Sequence, residues 1–249
     1  MKELFSIREV SQLLNVPAPT LRFWEEKGLF SVEKQPNRYR SYTPQDLVRI
    51  ADVMFWRDLG LSIRELGELE ACSMEEYARL MEHSHRHLTD RLAECRRMLE
   101  RTERQQAHLD EVMRLSRCRF GMEEVPFEAV APFDFREQEK LIRYAQDPSC
   151  YVRYFDTRDM TTEARGILVP AGHPGPLLWE KTPGRQWLTF LIRERVEHSY
   201  ASDVLDTLAE VRELYRPGTL LARYLISANE GGERIDFLKA YLQVEPRDP

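Results

Sequence analysis

The chain has 249 residues, 42 % of them hydrophobic and 31 % charged, and a net charge of -6 at pH 7. That length allows one to three domains, and the composition is that of a soluble globular protein, somewhat charge-rich. No apolar run is long enough to span a bilayer and the start, MKELFSIREV, has no signal-peptide pattern, so a cytoplasmic protein with no membrane partner is expected. The acidity argues mildly against nucleic acid as the main partner, but it is not evenly spread. Residues 18–43 carry five cations (Arg22, Lys27, Lys34, Arg38, Arg40) against three anions (Glu25, Glu26, Glu33), a local balance of +2. A bound duplex feels that local field more than distant acids, because salt screens beyond about 8 Å.

In chain order, 6–42 reads as helix, turn, helix and a two-stranded wing. Ser6 and Glu9 form a Ser-x-x-Glu capping box, with Val10, Leu13 and Leu14 on one face behind it. Asn15-Val16-Pro17 breaks that helix. Pro19 suits the first turn of a second helix over 20–27, which stops at Gly28. This short helix is expected to expose Arg22 and Trp24 beside a buried Leu21, a form that suits a major groove. Asn37-Arg38-Tyr39-Arg40-Ser41-Tyr42 is a turn followed by basic and aromatic residues, where Arg supplies phosphate or narrow-groove contacts. Thr43 caps a third helix with Pro44 at its first position and an apolar stripe of Leu47, Ile50, Ala51, Met54 and Phe55. It ends at Gly60, and Ser62-Ile63-Arg64-Glu65 makes a second capping box.

Four pieces, SIREVSQLLNV, PTLRFWEEKGL, RYRSYTPQDL and FWRDLGLSIREL, stand in the order and spacing of one known domain. Residues 6–70 resemble the DNA-binding domain of the MerR family of transcriptional regulators. The resemblance implies a winged helix-turn-helix over 1–72 that contacts double-stranded promoter DNA through Thr20, Arg22, Phe23, Trp24, Arg38, Tyr39, Arg40, Tyr42, Arg57 and Ser62. It implies RNA polymerase as a further partner. There are two departures. Phe23 stands where the family usually has Tyr and so lacks a hydroxyl, and Arg38 stands where the wing usually starts with Gly.

From Ala71 to Phe120 the chain has no Gly or Pro. Leu88, Leu92, Cys95, Leu99, Thr102, Gln106, Leu109 and Met113 alternate steps of four and three, a heptad seam with polar breaks at Thr102 and Gln106. Roughly forty helical residues span about 60 Å, and one exposed apolar stripe needs a partner, most simply a second copy. MerR-like proteins dimerise through an antiparallel coiled coil here, so 73–120 is expected to be a dimerisation helix with Leu88, Leu92, Cys95, Leu99, Leu109 and Met113 at its interface. The four cysteines, Cys72, Cys95, Cys118 and Cys150, are 23, 23 and 32 residues apart and fit no zinc module. His83 and His87 share a helix face with no thiol or acid to complete a ligand set, so no metal and no cofactor are expected.

Beyond Gly121 and Pro126 the pattern changes to short β-rich runs and two amphipathic helices. Strands are expected over 127–131, 151–155, 167–169, 187–196, 220–227 and 237–244, and helices over 134–145 and 202–215. A helix is twice followed by two strands, which suggests an α+β domain over 121–249 with pseudo-two-fold repetition and a groove between its halves. The expected fold class is therefore mainly α with a C-terminal α+β domain. This arrangement resembles the effector-binding domain of multidrug-sensing MerR regulators and GyrI-like proteins, supported by the closing run IDFLKAYLQV. It implies a small-molecule effector. Members that bind cationic drugs carry a Glu in the last strand, and Lys239 stands there in this chain, which would favour anionic or neutral ligands. Candidate pocket residues are Tyr151, Tyr154, Phe155, Trp179, Glu180, Trp187, Tyr224, Lys239 and Tyr241. Two other readings stay open. One is a GyrI-like small-molecule hydrolase, for which no spacing marks a catalytic triad. The other is a DNA-binding protein whose C-terminal domain binds a protein partner.

Overall fold

The computed structural model describes residues 4–32, 40–69 and 72–247, the side chains of Thr161 and Thr162 excepted. Contacts divide the chain into two compact units, Met1–Arg97 and Met98–Pro249, with the boundary inside a long helix.

The first unit is helical, and side-chain caps set the starts of its helices except α2, whose N-cap is Pro17. In α1, Ile7–Leu14, the Ser6 hydroxyl accepts from the Glu9 N–H while the Glu9 carboxylate accepts from the Ser6 N–H at 2.7 Å. Asn15 closes the helix in the left-handed conformation, φ 52°, which Asn tolerates better than most residues. Helix α2, Ala18–Glu26, starts two residues earlier than the sequence suggests, with Pro19 in its first turn, and Gly28 follows at φ +75°. Helix α3, Pro44–Asp58, is capped by Thr43 and Asp46 in the same reciprocal way. Ser62 and Glu65 cap α4, Ile63–Leu69, as expected. An unanticipated third Ser-x-x-Glu box, Ser73 with Glu76, opens α5, Met74–Arg117.

These helices bury one core around Val10, Leu21, Trp24, Phe30, Tyr42, Ile50, Val53, Leu61 and Leu66. Two expected stripes turn differently. Leu13 is 62 % exposed, because α1 is only eight residues long and meets its neighbour through Val10 and Leu14. In α3 the buried side centres on Ile50 and Val53, which rotates Ala51 and Phe55 out to solvent. The wing tip, including Arg38 and Tyr39, lies outside the described residues, and its returning arm pairs Tyr42 with Phe5. Ser84 on α5 donates its hydroxyl to the Leu59 carbonyl, which ties the helix to the α3–α4 turn.

The second unit is an antiparallel sheet of nine strands among the described residues. They are β1 (Gly121–Met122), β2 (Ala129–Pro132), β3 (Tyr151–Asp156), β4 (Asp159–Val169), β5 (Trp179–Glu180), β6 (Gln186–Arg195), β7 (Ala201–Ser202), β8 (Tyr215–Glu230) and β9 (Glu233–Pro246), with α6 (Gln138–Gln146) and α7 (Val204–Leu214). The order β1-β6-β9-β8-β3-β4-β2-β5 places the halves β6-β9-β8 and β3-β4-β2 about the β3–β8 pair, the repetition expected from sequence. Several strands run longer than expected, and α6 starts four residues late because the turn at Asp134–Glu137 precedes it.

Cross-strand partners share a face, and side chains alternate along each strand. Phe155, Leu220, Leu242 and Leu188 therefore form one row, and α7 covers it with Val204, Leu208 and Val211. Tyr151, Ile167 and Ala131 lie on the same face further along, beneath Tyr144 of α6. The opposite face carries Val152, Trp187, Leu191, Leu221, Phe237, Lys239 and Tyr241. The last turns of α5 pack there through Val112 and Leu115, against Leu191, Leu225, Ile235 and Phe237. Among the described residues no helix is long and apolar enough to cross a membrane.

Candidate functional site

In the helix-turn-helix, α2 buries Leu21 and Trp24 and turns Arg22, Phe23, Glu26 and Lys27 to solvent; Thr20 is half-buried. The Lys27 ammonium sits 5.6 Å from the Phe23 ring centroid, a cation–π contact that keeps the cation at the exposed edge. Two expectations are corrected here. Trp24 is 8 % exposed, because its ring supplies core volume that a nine-residue helix cannot otherwise provide. Tyr42 is fully buried between the arm and the helices, and its hydroxyl has no hydrogen-bond partner among the described residues. Burial first, then the charge of Glu25, pushes that phenol above its ordinary range.

Other expected contact residues have work inside the unit. Arg40 donates from Nε to the Glu25 carboxylate at 2.6 Å, a bond that ties the arm to the outer end of α2. Arg57 donates to the Leu61 carbonyl across the α3–α4 turn, and Ser62 is engaged in its capping box. Glu25 is the residue that sequence reading missed. Its partner is fifteen positions away, across the wing, and no local pattern marks such a pair.

In the second unit the sheet face opposite α6 and α7 gathers four of the candidate pocket residues. Tyr154, Trp179, Trp187 and Tyr241 share one cluster with Phe127. Their rings meet edge to face: Phe127–Trp179 at 5.5 Å, Phe127–Tyr241 at 5.7 Å and Trp179–Trp187 at 5.7 Å. Lys239 stands beside them, its ammonium 5.1 Å from the Tyr241 centroid. The remaining candidates lie elsewhere. Phe155 is under α7, Tyr151 packs with Phe133 and Tyr144 near α6, and Glu180 is exposed on a short strand. The Tyr224 hydroxyl is 2.9 Å from that of Ser227, which in turn donates to Asp236. Lys239, placed by sequence where it would favour anionic or neutral ligands, already has two acidic partners. It donates to Glu111 at 2.5 Å and to Glu123 at 2.6 Å.

The profile of the MerR HTH family regulatory protein matches residues 5–71. HmrR of Rhizobium leguminosarum bv. viciae, an HTH-type transcriptional regulator, is 33 % identical over 66 residues, or 26 % of this chain. The chain spans about half of HmrR, 51 % of its length. CueR of Escherichia coli O6:H1, also an HTH-type transcriptional regulator, is 30 % identical over 108 residues, covering 43 % of this chain and 72 % of CueR. The chain belongs to the MerR family. Two solved structures are similar at low scores. HiNmlR, a MerR family regulator lacking the sensor domain and bound to promoter DNA, is 21 % identical with a TM-score of 0.38, covering 46 % of this chain and 96 % of that one. A MerR family transcriptional regulator from Bacillus cereus is 20 % identical with a TM-score of 0.36, covering 57 % and 96 %.

In this MerR-family chain the seam residues Leu88, Leu92, Cys95, Leu99, Leu109 and Met113 are all exposed along α5. Cys95 and Cys118 are exposed thiols, Cys72 is half-buried and Cys150 buried. Among the described residues no three His, Cys, Asp or Glu side chains converge as a metal site.

Proposed function

We propose that the chain is a DNA-binding transcriptional regulator that acts as a homodimer on a near-palindromic promoter site. The observation that carries this reading is the exposed face of α2, with Arg22, Phe23 and Lys27, beside an arm held in place by the Arg40–Glu25 pair. Arg22 offers five donors in a planar fork, suited to a phosphate or to a guanine edge. The exposed α5 seam supports a second copy as partner, because six apolar positions at heptad spacing are exposed among the described residues. Two recognition helices would then enter successive major grooves about one or two helical turns apart. Distortion of the spacer between them would control how RNA polymerase engages. A small-molecule effector would act at the aromatic sheet face around Trp179, Trp187 and Tyr241. That face also touches α5 through Val112 and Leu115, so a ligand preferring one packing of the helix would bias the dimer.

Footprinting of the full chain on DNA upstream of its own gene tests this reading. A protected near-palindrome with reactive central base pairs is expected. Arg22→Ala should weaken binding by roughly 5–150-fold, the equivalent of about 1–3 kcal/mol. Absence of protection at low salt, where phosphate contacts are strongest, would overturn the reading. A monomer in sedimentation would remove the dimer.

A further inference from the structure

Lys239 lies in the middle of β9 and is only 6 % exposed, yet it carries its charge inside the protein. Its ammonium meets two carboxylates, Glu111 of α5 at 2.5 Å and Glu123 of the segment after β1 at 2.6 Å. Arg114 completes the group. It donates twice to Glu111, both bonds at 2.7 Å, and once to Glu123 at 2.5 Å. The Thr189 hydroxyl, fully buried, donates to the same Glu123 oxygen at 3.3 Å. Two cations and two anions balance, so the group is neutral as a unit. The third neighbour of the ammonium is the Tyr241 ring at 5.1 Å, backed by Phe127. Two carboxylates and an aromatic face around a primary ammonium are the parts of an amine-binding site.

We infer that this is such a site, made for a primary alkylammonium and filled by the chain's own Lys239 as a tethered ligand, which pins the end of α5 to the sheet. The tether gives the lysine an effective concentration that free amines in solution do not match, so the intact chain excludes them. Shortening the tether opens the site to solution amines. The hold does not loosen at ordinary pH. Hydrogen bonds from Arg114, and then from Lys239, outweigh burial and hold Glu111 at about 2. Burial alone would raise Glu123, but its bonds to Lys239 and Arg114 bring it below the usual carboxylate range. The inference depends neither on DNA binding nor on effector sensing.

Lys239→Ala in the full chain tests it, because the atoms removed are those of propylammonium. The variant should lose roughly 3–12 °C in Tm. Propylammonium chloride should then raise its Tm by several degrees, growing with the logarithm of concentration, and leave the wild-type Tm unmoved. Potassium chloride at equal ionic strength and neutral propanol should not substitute. A rise no larger than that with potassium chloride, or an equal rise in the wild type, would overturn the inference. Reductive methylation of the folded wild-type chain, read by peptide mass, supplies a measurement that needs no variant. Lys239 should resist modification while exposed lysines such as Lys27 react, and equal labelling of the two would overturn the inference as well.

Discussion

Arg40 and Lys239 are both cations bonded to acids far away in sequence, and they differ in setting. The Arg40 side chain is 29 % exposed and its partner Glu25 13 %, at the edge of a helical unit. The Lys239 side chain is 7 % exposed and has two carboxylates, on a sheet face covered by a helix. Water screens the first pair, and a phosphate could compete for it. In the second, the Lys239 ammonium is withdrawn from water while Glu111 and Glu123 keep 24 % and 34 % exposure. Removing a carboxylate would leave a buried cation with half its counter-charge, and removing the lysine leaves both acids to Arg114. The same chemistry therefore gives an adjustable brace in one place and a fixed clasp in the other.

Paired substitutions test that contrast most sharply. Lys239→Met should destabilise the second unit by about 1.5–3 kcal/mol, whereas Arg40→Met should cost the first unit about 1 kcal/mol or less. Urea unfolding of each full-length variant measures both, and equal losses would erase the distinction. Next in size is the effect of the brace on DNA. Glu25→Gln frees the arm and should lower affinity several-fold, with the slope of log K against log salt unchanged because no phosphate contact is lost. A slope reduced by about one in Arg40→Gln would instead place that guanidinium on the phosphate backbone.

The smallest effect concerns the capping boxes. Backbone hydrogen bonds lead in lowering Glu9 and Glu76, and a side-chain bond from Ser62 leads for Glu65, all from an ordinary 4.5. A depressed carboxylate stabilises fully above its unfolded value and loses that contribution as pH falls through the folded one. Far-UV circular dichroism of the full chain should therefore show helix fraying that begins below about pH 4.5. Glu9→Gln should remove part of that acid-dependent loss, and an unaltered titration would argue against the boxes as its source.

What could be read from sequence follows the distance over which each interaction acts. The boxes at Ser6 and Ser62 span three residues and were legible, as was Gly28, because a chain reversal there needs positive φ. The strand–helix–strand–strand repetition was legible from alternation alone. The family resemblance puts Trp24 and Tyr42 among the DNA contacts, and aromatic rings beside arginines fit an interface as well as a core. Their burial depends on how much volume the neighbouring helices leave. Lys239 was read from its place in the last strand, but its partners lie 128 and 116 residues away, on elements whose position no local pattern gives. For the same reason, four of the candidate pocket aromatics converge and Tyr151, Phe155 and Tyr224 do not. Strand register assigns them to faces, and register is a property of pairs of strands.

The edge-to-face contact of Trp179 and Trp187 has an optical consequence. Two indoles 5.7 Å apart couple their electronic transitions and give an exciton couplet in circular dichroism. The other two tryptophans, Trp24 and Trp56, belong to the first unit, Met1–Arg97. The couplet is thus a signature of the second unit alone, and its loss during heating, set against total indole fluorescence, would show which unit melts first without any label.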